Sequence, residues 1–175
     1  MTFVHSLDEL DVDAYAAGLI ISHQRLADHH QHLLRKSVLY YPPVLVAGLG
    51  CKRGVPVSEL RLALEATLAE AGLAGDCLAA LATVDLKADE PGLQQLAAEL
   101  NIPLQIVASA RLAALPASAR AGFSPSAAQE KLGLPGVAEP CAMLAAGEDG
   151  KLLVSKRKFD RCTVAISLIC FTADP

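Results

Sequence analysis

The stretch VLVAGLGCKRGVP, residues 44–56, decides the fold class of this chain. Its first six residues are apolar and predict a buried strand, and the glycines after them predict a turn into a helix. Glycine lets the backbone approach a ligand closely. Lys52 and Arg53 place two fixed positive charges in the same turn. The sequence therefore predicts a buried strand followed by a loop that binds an anion.

Strands and helices alternate after this loop. CLAALATV and IPLQIV predict two more strands, and the stretches before and between them have helical apolar spacing. Asp89 is the predicted N-cap of the second helix. KLLVSKRKF and TVAISLI predict a closing antiparallel hairpin. We expect an α/β domain over residues 44–175, with three α/β/α layers and a mixed, mainly parallel sheet of about five strands.

The first 43 residues differ from the rest and form a predicted N-terminal helical extension. Tyr15, Leu19, Leu26 and Leu33 recur at helical spacing, which predicts a helix from about Val12 to Lys36 that the following YYPP ends. All five histidines lie in this segment. In the run DHHQH they do not share one helix face, so we expect a solvated polar surface there and no metal site.

Composition excludes several classes of function. The formal net charge of −4 argues against general nucleic-acid binding, which needs a basic face. No apolar run is long enough to span a membrane, and MTFVHSLDEL lacks the basic start of a signal peptide. We therefore expect a cytoplasmic protein that binds neither membrane nor nucleic acid.

The five cysteines are widely spaced and never form a C-x-x-C pair, so we expect no metal centre. The four other than Cys51 lie in apolar stretches and are predicted core residues.

The glycine loop is one residue too long for the G-x-G-x-x-G fingerprint and lacks the GK[ST] of a P-loop. We expect no cofactor. A phosphate- or nucleotide-binding module stays an alternative function, and a tight turn with solvated basic residues is the simplest interpretation of the loop.

Charged residues also follow the second predicted strand, in TVDLKADEPG. Asp85, Lys87 and Glu90 come at the carboxyl end of a strand, where open α/β sheets bind their ligands. Lys87 either forms a structural ion pair or acts as an acid or base. Because both charged stretches follow neighbouring strands, one ligand can touch both.

Two later stretches add further candidates. Ser124 caps a predicted short helix that ends at Gly133, and Glu139 heads another that ends at Gly147. Lys156 and Lys158 share one face of the hairpin strand, where lysines also protect a sheet edge from pairing.

Four motifs in this order carry a family resemblance: GLGCKRG, TVDLKADEPGL, SPSAAQEKLGLPGVAEPCAMLAAG, and LLVSKRK followed by TVAIS. The chain resembles the CobE/CbiG C-terminal domain family of cobalamin biosynthesis from about Val44 to Leu168. The resemblance implies a role in building the corrin ring, with a precorrin as the ligand. CbiG hydrolyses a δ-lactone on a cobalt-precorrin and releases a two-carbon fragment, so the resemblance implies such a hydrolysis as an alternative function of this chain. The 175 residues leave no room for the N-terminal regions of CbiG, so we expect the standalone form.

A precorrin carries many carboxylates around a flat apolar ring, so its site needs several separated anchors. The predicted contacts are Gly50, Cys51, Lys52, Arg53, Gly54, Asp85, Lys87, Glu90, Ser124 and Glu139. Lys87 and Glu139 are the candidate acid or base groups if the chain is a hydrolase. A Cys51 nucleophile at a lowered pKa is a weaker alternative, because no histidine lies in the domain to serve as its base. Other corrin-pathway enzymes, or a second copy packed on the N-terminal segment, are the expected protein partners.

Overall fold

The computed structural model describes residues 6–9, 11–116 and 136–170 of the chain. It contains a two-stranded parallel sheet followed by a five-stranded mixed sheet. The strands are β1 (Gly18–Ile21), β2 (Ser37–Tyr40), β3 (Leu45–Cys51), β4 (Leu78–Val84), β5 (Leu104–Val107), β6 (Lys151–Lys158) and β7 (Cys162–Leu168). The helices are α1 (Val57–Glu70), α2 (Pro91–Leu100), α3 (Ser109–Ala113) and α4 (Ala138–Ala146). Shorter 3₁₀ helices are Leu7–Glu9, Val12–Ala14, Asp28–Arg35, Gly75–Cys77 and Asp85–Lys87.

The larger sheet has the strand order β5-β4-β3-β7-β6. Strands β3, β4 and β5 are parallel, whereas β7 pairs antiparallel with both β3 and β6. The carboxyl ends of β3, β4 and β5 therefore lie at one edge of the sheet, together with the turn between β6 and β7. This edge, which we call the carboxyl edge, is where α/β sheets place their ligand sites.

Helices cover both faces of this sheet. Leu45, Ala47 and Leu49 of β3 belong to an apolar cluster with α1 and α2, while Val46 belongs to another with residues of α4. The alternation along β3 explains this division, because successive side chains of a strand point to opposite faces. The predicted three-layer α/β/α architecture, with its mainly parallel sheet and closing antiparallel hairpin, is confirmed.

Two local predictions need correction. Glu90, not Asp89, is the N-cap residue of α2, and Pro91 takes the first helical position. Proline suits that position because its missing N–H would have no intrahelical partner there. Of the four cysteines predicted to be core residues, Cys170 is exposed, whereas the other three are buried. Within the described residues, no helix has the length and apolarity that a membrane crossing needs.

The predicted helix from Val12 to Lys36 is wrong. That stretch forms β1 and the 3₁₀ helix Asp28–Arg35, and β2 follows and pairs parallel with β1. Ile20 and Leu33 are buried against each other. The outer face of the small sheet leaves Leu19, Ile21, Val38 and Tyr40 exposed. The leucines of this segment recur at helical spacing, but β1 buries Ile20 and exposes the residues on either side of it, as a strand does. The β-branched Ile20 and Ile21 favour this extended form.

Candidate functional site

The loop between β3 and α1 is held by Arg161, the last residue of the turn between β6 and β7. The Lys52 N–H donates to the Arg161 carbonyl oxygen at 2.9 Å. The Arg161 guanidinium donates in return to the carbonyl oxygens of Arg53 and Gly54, at 3.4 and 3.2 Å. It also forms an ion pair with Glu59 of α1. Arg161 therefore fixes the loop backbone, a role that was not predicted from the sequence.

Glu90 fixes the same loop from the α2 side. Its Oε2 accepts a hydrogen bond from the Gly54 N–H at 3.0 Å, and its Oε1 accepts one from Lys87 Nζ at 2.8 Å. The hydrogen bond and charge of Lys87 lower the pKa of Glu90 below its ordinary value, against the effect of burial, and Gly54 lowers it further. The ionised carboxylate thus links the loops that follow β3 and β4. Lys87 forms the structural ion pair that was one of its two predicted roles.

Lys52 and Arg53 are the cations that these contacts present at the surface. Both residues are exposed, and neither side chain forms a hydrogen bond or ion pair within the part of the chain that the structure describes. Gly54 beside them has a φ of +63°, in the left-handed region that glycine adopts without strain. The loop therefore carries two positive charges on a backbone that Arg161 and Glu90 hold in place.

Cys51 ends β3 beside these charges and is partly buried. Burial raises the pKa of its thiol to about 11, and the nearby positive charge of Lys87 offsets only part of that rise. At neutral pH the group is therefore a thiol, and thiols are poor nucleophiles. This direction is opposite to the lowered pKa that the alternative of a Cys51 nucleophile requires.

Asp85 is the first residue of the loop after β4. Its Oδ2 accepts hydrogen bonds from the backbone N–H and the hydroxyl of Ser109, at 2.9 and 3.1 Å. The backbone hydrogen bond from Ser109 is the main reason why the pKa of Asp85 lies below its ordinary value. Asp85 therefore joins the β4 loop to the start of α3.

Glu139 approaches the carboxyl edge from the opposite face of the sheet, in the first turn of α4. Its side chain is buried, and its Oε1 accepts a hydrogen bond from the Lys156 N–H of β6 at 3.0 Å. Burial lowers the pKa of the Lys156 ammonium, although the charge of Glu139 opposes that shift. A carboxylate and a lysine thus meet where α4 crosses β6.

Gly50 brings α4 against the end of β3. A β-carbon at this position would lie 2.7 Å from Thr163 Oγ1 and 3.4 Å from the Val137 side chain. The Thr163 hydroxyl donates to the Gly50 carbonyl oxygen at 3.3 Å. Packing within the chain therefore requires a glycine here, whether or not a ligand touches it.

The structure brings the loop from Gly50 to Gly54 together with Lys87 and Glu90 in one hydrogen-bonded group. Asp85 and Glu139 lie at the same edge on separate elements, with partners of their own. Ser124 lies outside the described residues. Sequence reasoning missed Arg161, and it interpreted Lys156 as one of several edge lysines. The basic run KRKFDR contains both residues, but nothing in its spacing distinguishes the two that contact the site.

A cavity of about 580 Å³ lies away from this site. It is lined by α1 and by residues at the amino ends of β4 and β5, among them Leu78 and Ile102. Its Arg61 is paired with Glu99 and Glu65. The cavity therefore offers mainly apolar surface at the edge opposite the cationic loop.

Comparison with known proteins gives one consistent family. The family model described as cobalamin synthesis G C-terminus matches residues 45–167. A cobalt-precorrin-5A hydrolase from Priestia megaterium is 34% identical over 154 residues, which cover 87% of this chain but 40% of that protein. A CobE protein from a Sinorhizobium species is 32% identical over 123 residues, 70% of this chain and 79% of the relative. This chain thus spans well under half of the hydrolase.

The fold is also found in a solved relative. The crystal structure of CobE, a protein from the cobalamin biosynthetic pathway, matches 74% of this chain and 92% of its own with a TM-score of 0.66 and 40% identity. The family model ends within one residue of β7, and it begins at the first residue of β3. It therefore contains the five-stranded sheet and every element that contributes to the candidate site.

Proposed function

We propose that this chain binds a precorrin-type tetrapyrrole at the carboxyl edge of its sheet. The chain belongs to the cobalamin synthesis G C-terminus family and so has a role in cobalamin biosynthesis. The observation that carries this proposal is the loop after β3, which exposes the charges of Lys52 and Arg53 on a backbone that Arg161 and Glu90 hold in place. Exposed cations without a partner in the described chain, carried on a backbone that is held in place, suit a ligand that brings several carboxylates.

The chemistry of a precorrin fits this edge in two respects. Its acetate and propionate groups need cationic partners, and the adjacent Lys52 and Arg53 offer two, since an arginine can hold a carboxylate through two hydrogen bonds while a lysine acts as a point charge. Its macrocycle is apolar, and the exposed Leu86 lies between Asp85 and Lys87 in the neighbouring loop. We assign Lys52 and Arg53 to the ligand's carboxylates and the β4 loop to its ring.

The other predicted contacts divide into two groups in this proposal. Glu90, Asp85 and Lys87 position the loops, because each makes a hydrogen bond or ion pair within the chain. Substitution of any of them should weaken binding indirectly, because Lys52 and Arg53 would no longer be held in position. Ser124 stays a predicted ligand contact in the segment that the structure does not describe.

A second candidate function is hydrolysis of a lactone on the bound pigment, which the similarity to a cobalt-precorrin-5A hydrolase favours. That reaction adds water across the acyl C–O bond and needs a base to take the proton from the water. Glu139 is a buried carboxylate at the carboxyl edge and is our candidate for this base. Lys87 is the weaker candidate, because its ammonium is held by Glu90 at 2.8 Å.

Titration of the purified chain with corrin-pathway intermediates separates these functions. We expect a shift in the pigment's absorbance on binding, and mass spectrometry of the released pigment then identifies any conversion. Unchanged mass indicates a carrier, whereas the gain of one water or the loss of a small fragment indicates an enzyme. Binding of ATP or NAD without binding of any tetrapyrrole would instead support the phosphate- or nucleotide-binding alternative and contradict our proposal.

The protein partners stay predictions. We propose that other enzymes of the same pathway hand over or receive the pigment, since a reactive intermediate is best passed directly between proteins. A homodimer is the alternative that the N-terminal segment suggests. Its outer sheet face exposes Leu19, Ile21, Val38 and Tyr40, and sedimentation of the full chain with and without pigment distinguishes a dimer from a monomer.

A further inference from the structure

The N-terminal segment brings together three potential metal ligands that are far apart in sequence. Asp8 lies in the first 3₁₀ helix, and His29 and His30 lie in the 3₁₀ helix Asp28–Arg35. His30 Nε2 is 2.8 Å from Asp8 Oδ1, and His29 Nε2 is 3.8 Å from the same oxygen. Taking one ligand atom from each residue, all three atoms lie within 4.8 Å of one another.

This spacing is close to that of a metal coordination sphere. Bonds of about 2.0–2.1 Å to nitrogen and oxygen in a tetrahedral site separate neighbouring ligand atoms by about 3.3 Å. The His30 ring is largely buried and fixes one corner, whereas His29 and Asp8 are 70% and 73% exposed and have room to adjust. The two rings already lie side by side, with centroids 3.9 Å apart. A cation can therefore take the place of the proton between His30 and Asp8 with small side-chain movements.

We propose that Asp8, His29 and His30 form a surface site for a divalent transition-metal ion of the zinc type. Two imidazole nitrogens and one carboxylate oxygen favour Zn²⁺, Ni²⁺ or Cu²⁺, whereas Mg²⁺ and Ca²⁺ prefer oxygen ligands alone. Three protein ligands leave a position open to water or to a further ligand. The site lies ahead of residue 45, outside the residues that the family model matches, and it is independent of the proposed pigment site.

Bound metal would tie the start of the chain to the 3₁₀ helix that packs under β1. Leu7 and Leu33 already belong to the small apolar cluster between these elements. A metal bridge from Asp8 would add a second connection between them, and a ligand that binds only the folded state stabilises it. Zn²⁺ should therefore slow proteolysis of the N-terminal segment.

Isothermal titration of the full chain with Zn²⁺ tests the site, with Mg²⁺ as the hard-cation control. We expect one Zn²⁺ per chain, no response to Mg²⁺, and at least about tenfold weaker Zn²⁺ binding in each of Asp8→Asn, His29→Ala and His30→Gln. His29 and Asp8 are exposed, so these two variants should keep the wild-type circular dichroism. Asp28→Asn and His32→Ala are the controls, because they remove an aspartate and a histidine from the helix Asp28–Arg35 without removing a potential ligand, and His32 Nδ1 contacts the cluster only through the His29 carbonyl oxygen. Both variants should bind as the wild type does.

Two results would overturn the proposal. The first is wild-type Zn²⁺ binding that is no tighter than that of Asp8→Asn and His29→Ala. The second is an equal loss in His32→Ala or Asp28→Asn, which would indicate nonspecific attraction of the cation to surface histidines and carboxylates. Pigment binding should stay the same in all five variants, so the outcome here is separate from that of the proposed function.

Discussion

The carboxylate of Glu90 accepts the backbone N–H of Gly54 at 3.0 Å, across 36 residues of sequence. This one bond joins the loop after β3 to the start of α2. The same carboxylate holds Lys87, so the charge of that lysine is compensated inside the chain. Lys52 and Arg53 are left as the loop's exposed cations, on a backbone whose position depends on Glu90 and Arg161.

Glu90→Gln should lower the free energy of unfolding by about 2 kcal/mol at neutral pH, because a charge-assisted hydrogen bond in a buried position is lost. The folded-state pKa of Glu90 is lowered, so its stabilising effect is full above the ordinary pKa of 4.5. That effect is lost as the pH falls through the lowered folded-state value. Denaturant unfolding of both proteins should therefore show a difference that shrinks as the pH drops below 4.5.

Glu65→Gln is the control for this measurement, since Glu65 is an exposed carboxylate of α1. Its stability should change little. A Glu90→Gln protein as stable as Glu65→Gln at neutral pH would show that the bond to Gly54 does not hold the loop.

Gly48→Ala should lower the free energy of unfolding by about 3 kcal/mol, the upper part of the usual range for overpacking. A β-carbon there would overlap the Ala138 carbonyl oxygen and lie 2.7 Å from the Ala142 nitrogen, both in the backbone of α4. Gly75→Ala is the control, because its β-carbon would meet Leu68 at an ordinary 3.9 Å. Equal stability of the two variants would contradict the close contact between β3 and α4.

The close contact at Gly48 also shows what could be predicted from sequence. The strands from residue 44 onward follow from their apolar runs, and α2 and α4 follow from apolar spacing with Pro and Gly at their ends. These patterns are local. They place Lys52 and Lys87 at one edge of the sheet, because parallel strands end together. They do not reveal that Gly48 and Gly50 accommodate a helix nearly 90 residues later in the chain.

Long-range pairings account for what sequence reasoning missed. The parallel pairing of β1 with β2 depends on contacts between residues on either side of a crossover connection. The local helical spacing of a few leucines in this segment predicted a helix instead. Arg161 contacts the β3 loop across more than 100 residues, which no local pattern encodes. Asp8 comes from outside the histidine run, so the run alone did not reveal that Asp8, His29 and His30 lie close together in the fold.

Cys51→Ala should leave pigment binding and any pigment conversion intact. Its thiol has a pKa of about 11, so only a minute fraction is thiolate at neutral pH. Alkylation followed by peptide mass spectrometry should show Cys51 reacting more slowly than the exposed Cys170, with a rate that rises as the pH approaches 11. Loss of conversion in Cys51→Ala, with binding retained, would restore the nucleophile hypothesis.

Glu139→Gln should separate binding from hydrolysis. The amide oxygen can still accept the Lys156 N–H, which keeps α4 against β6, but an amide cannot serve as a base at neutral pH. If the wild type converts a pigment, Glu139→Gln should bind it with similar affinity and convert it at least about a hundredfold more slowly. Undiminished conversion would remove Glu139 as the base.

The most direct test of the central claim is absorbance titration of wild type, Lys52→Ala, Arg53→Ala and Lys151→Ala with a precorrin-type pigment at two salt concentrations. Lys151 is an exposed cation at the opposite edge of the sheet, so its variant controls for net charge. We predict affinity at least about tenfold weaker in Lys52→Ala and Arg53→Ala, a smaller salt dependence in both, and wild-type behaviour in Lys151→Ala. Equal affinity in all four proteins would contradict the claim that the glycine loop binds the carboxylates of a tetrapyrrole.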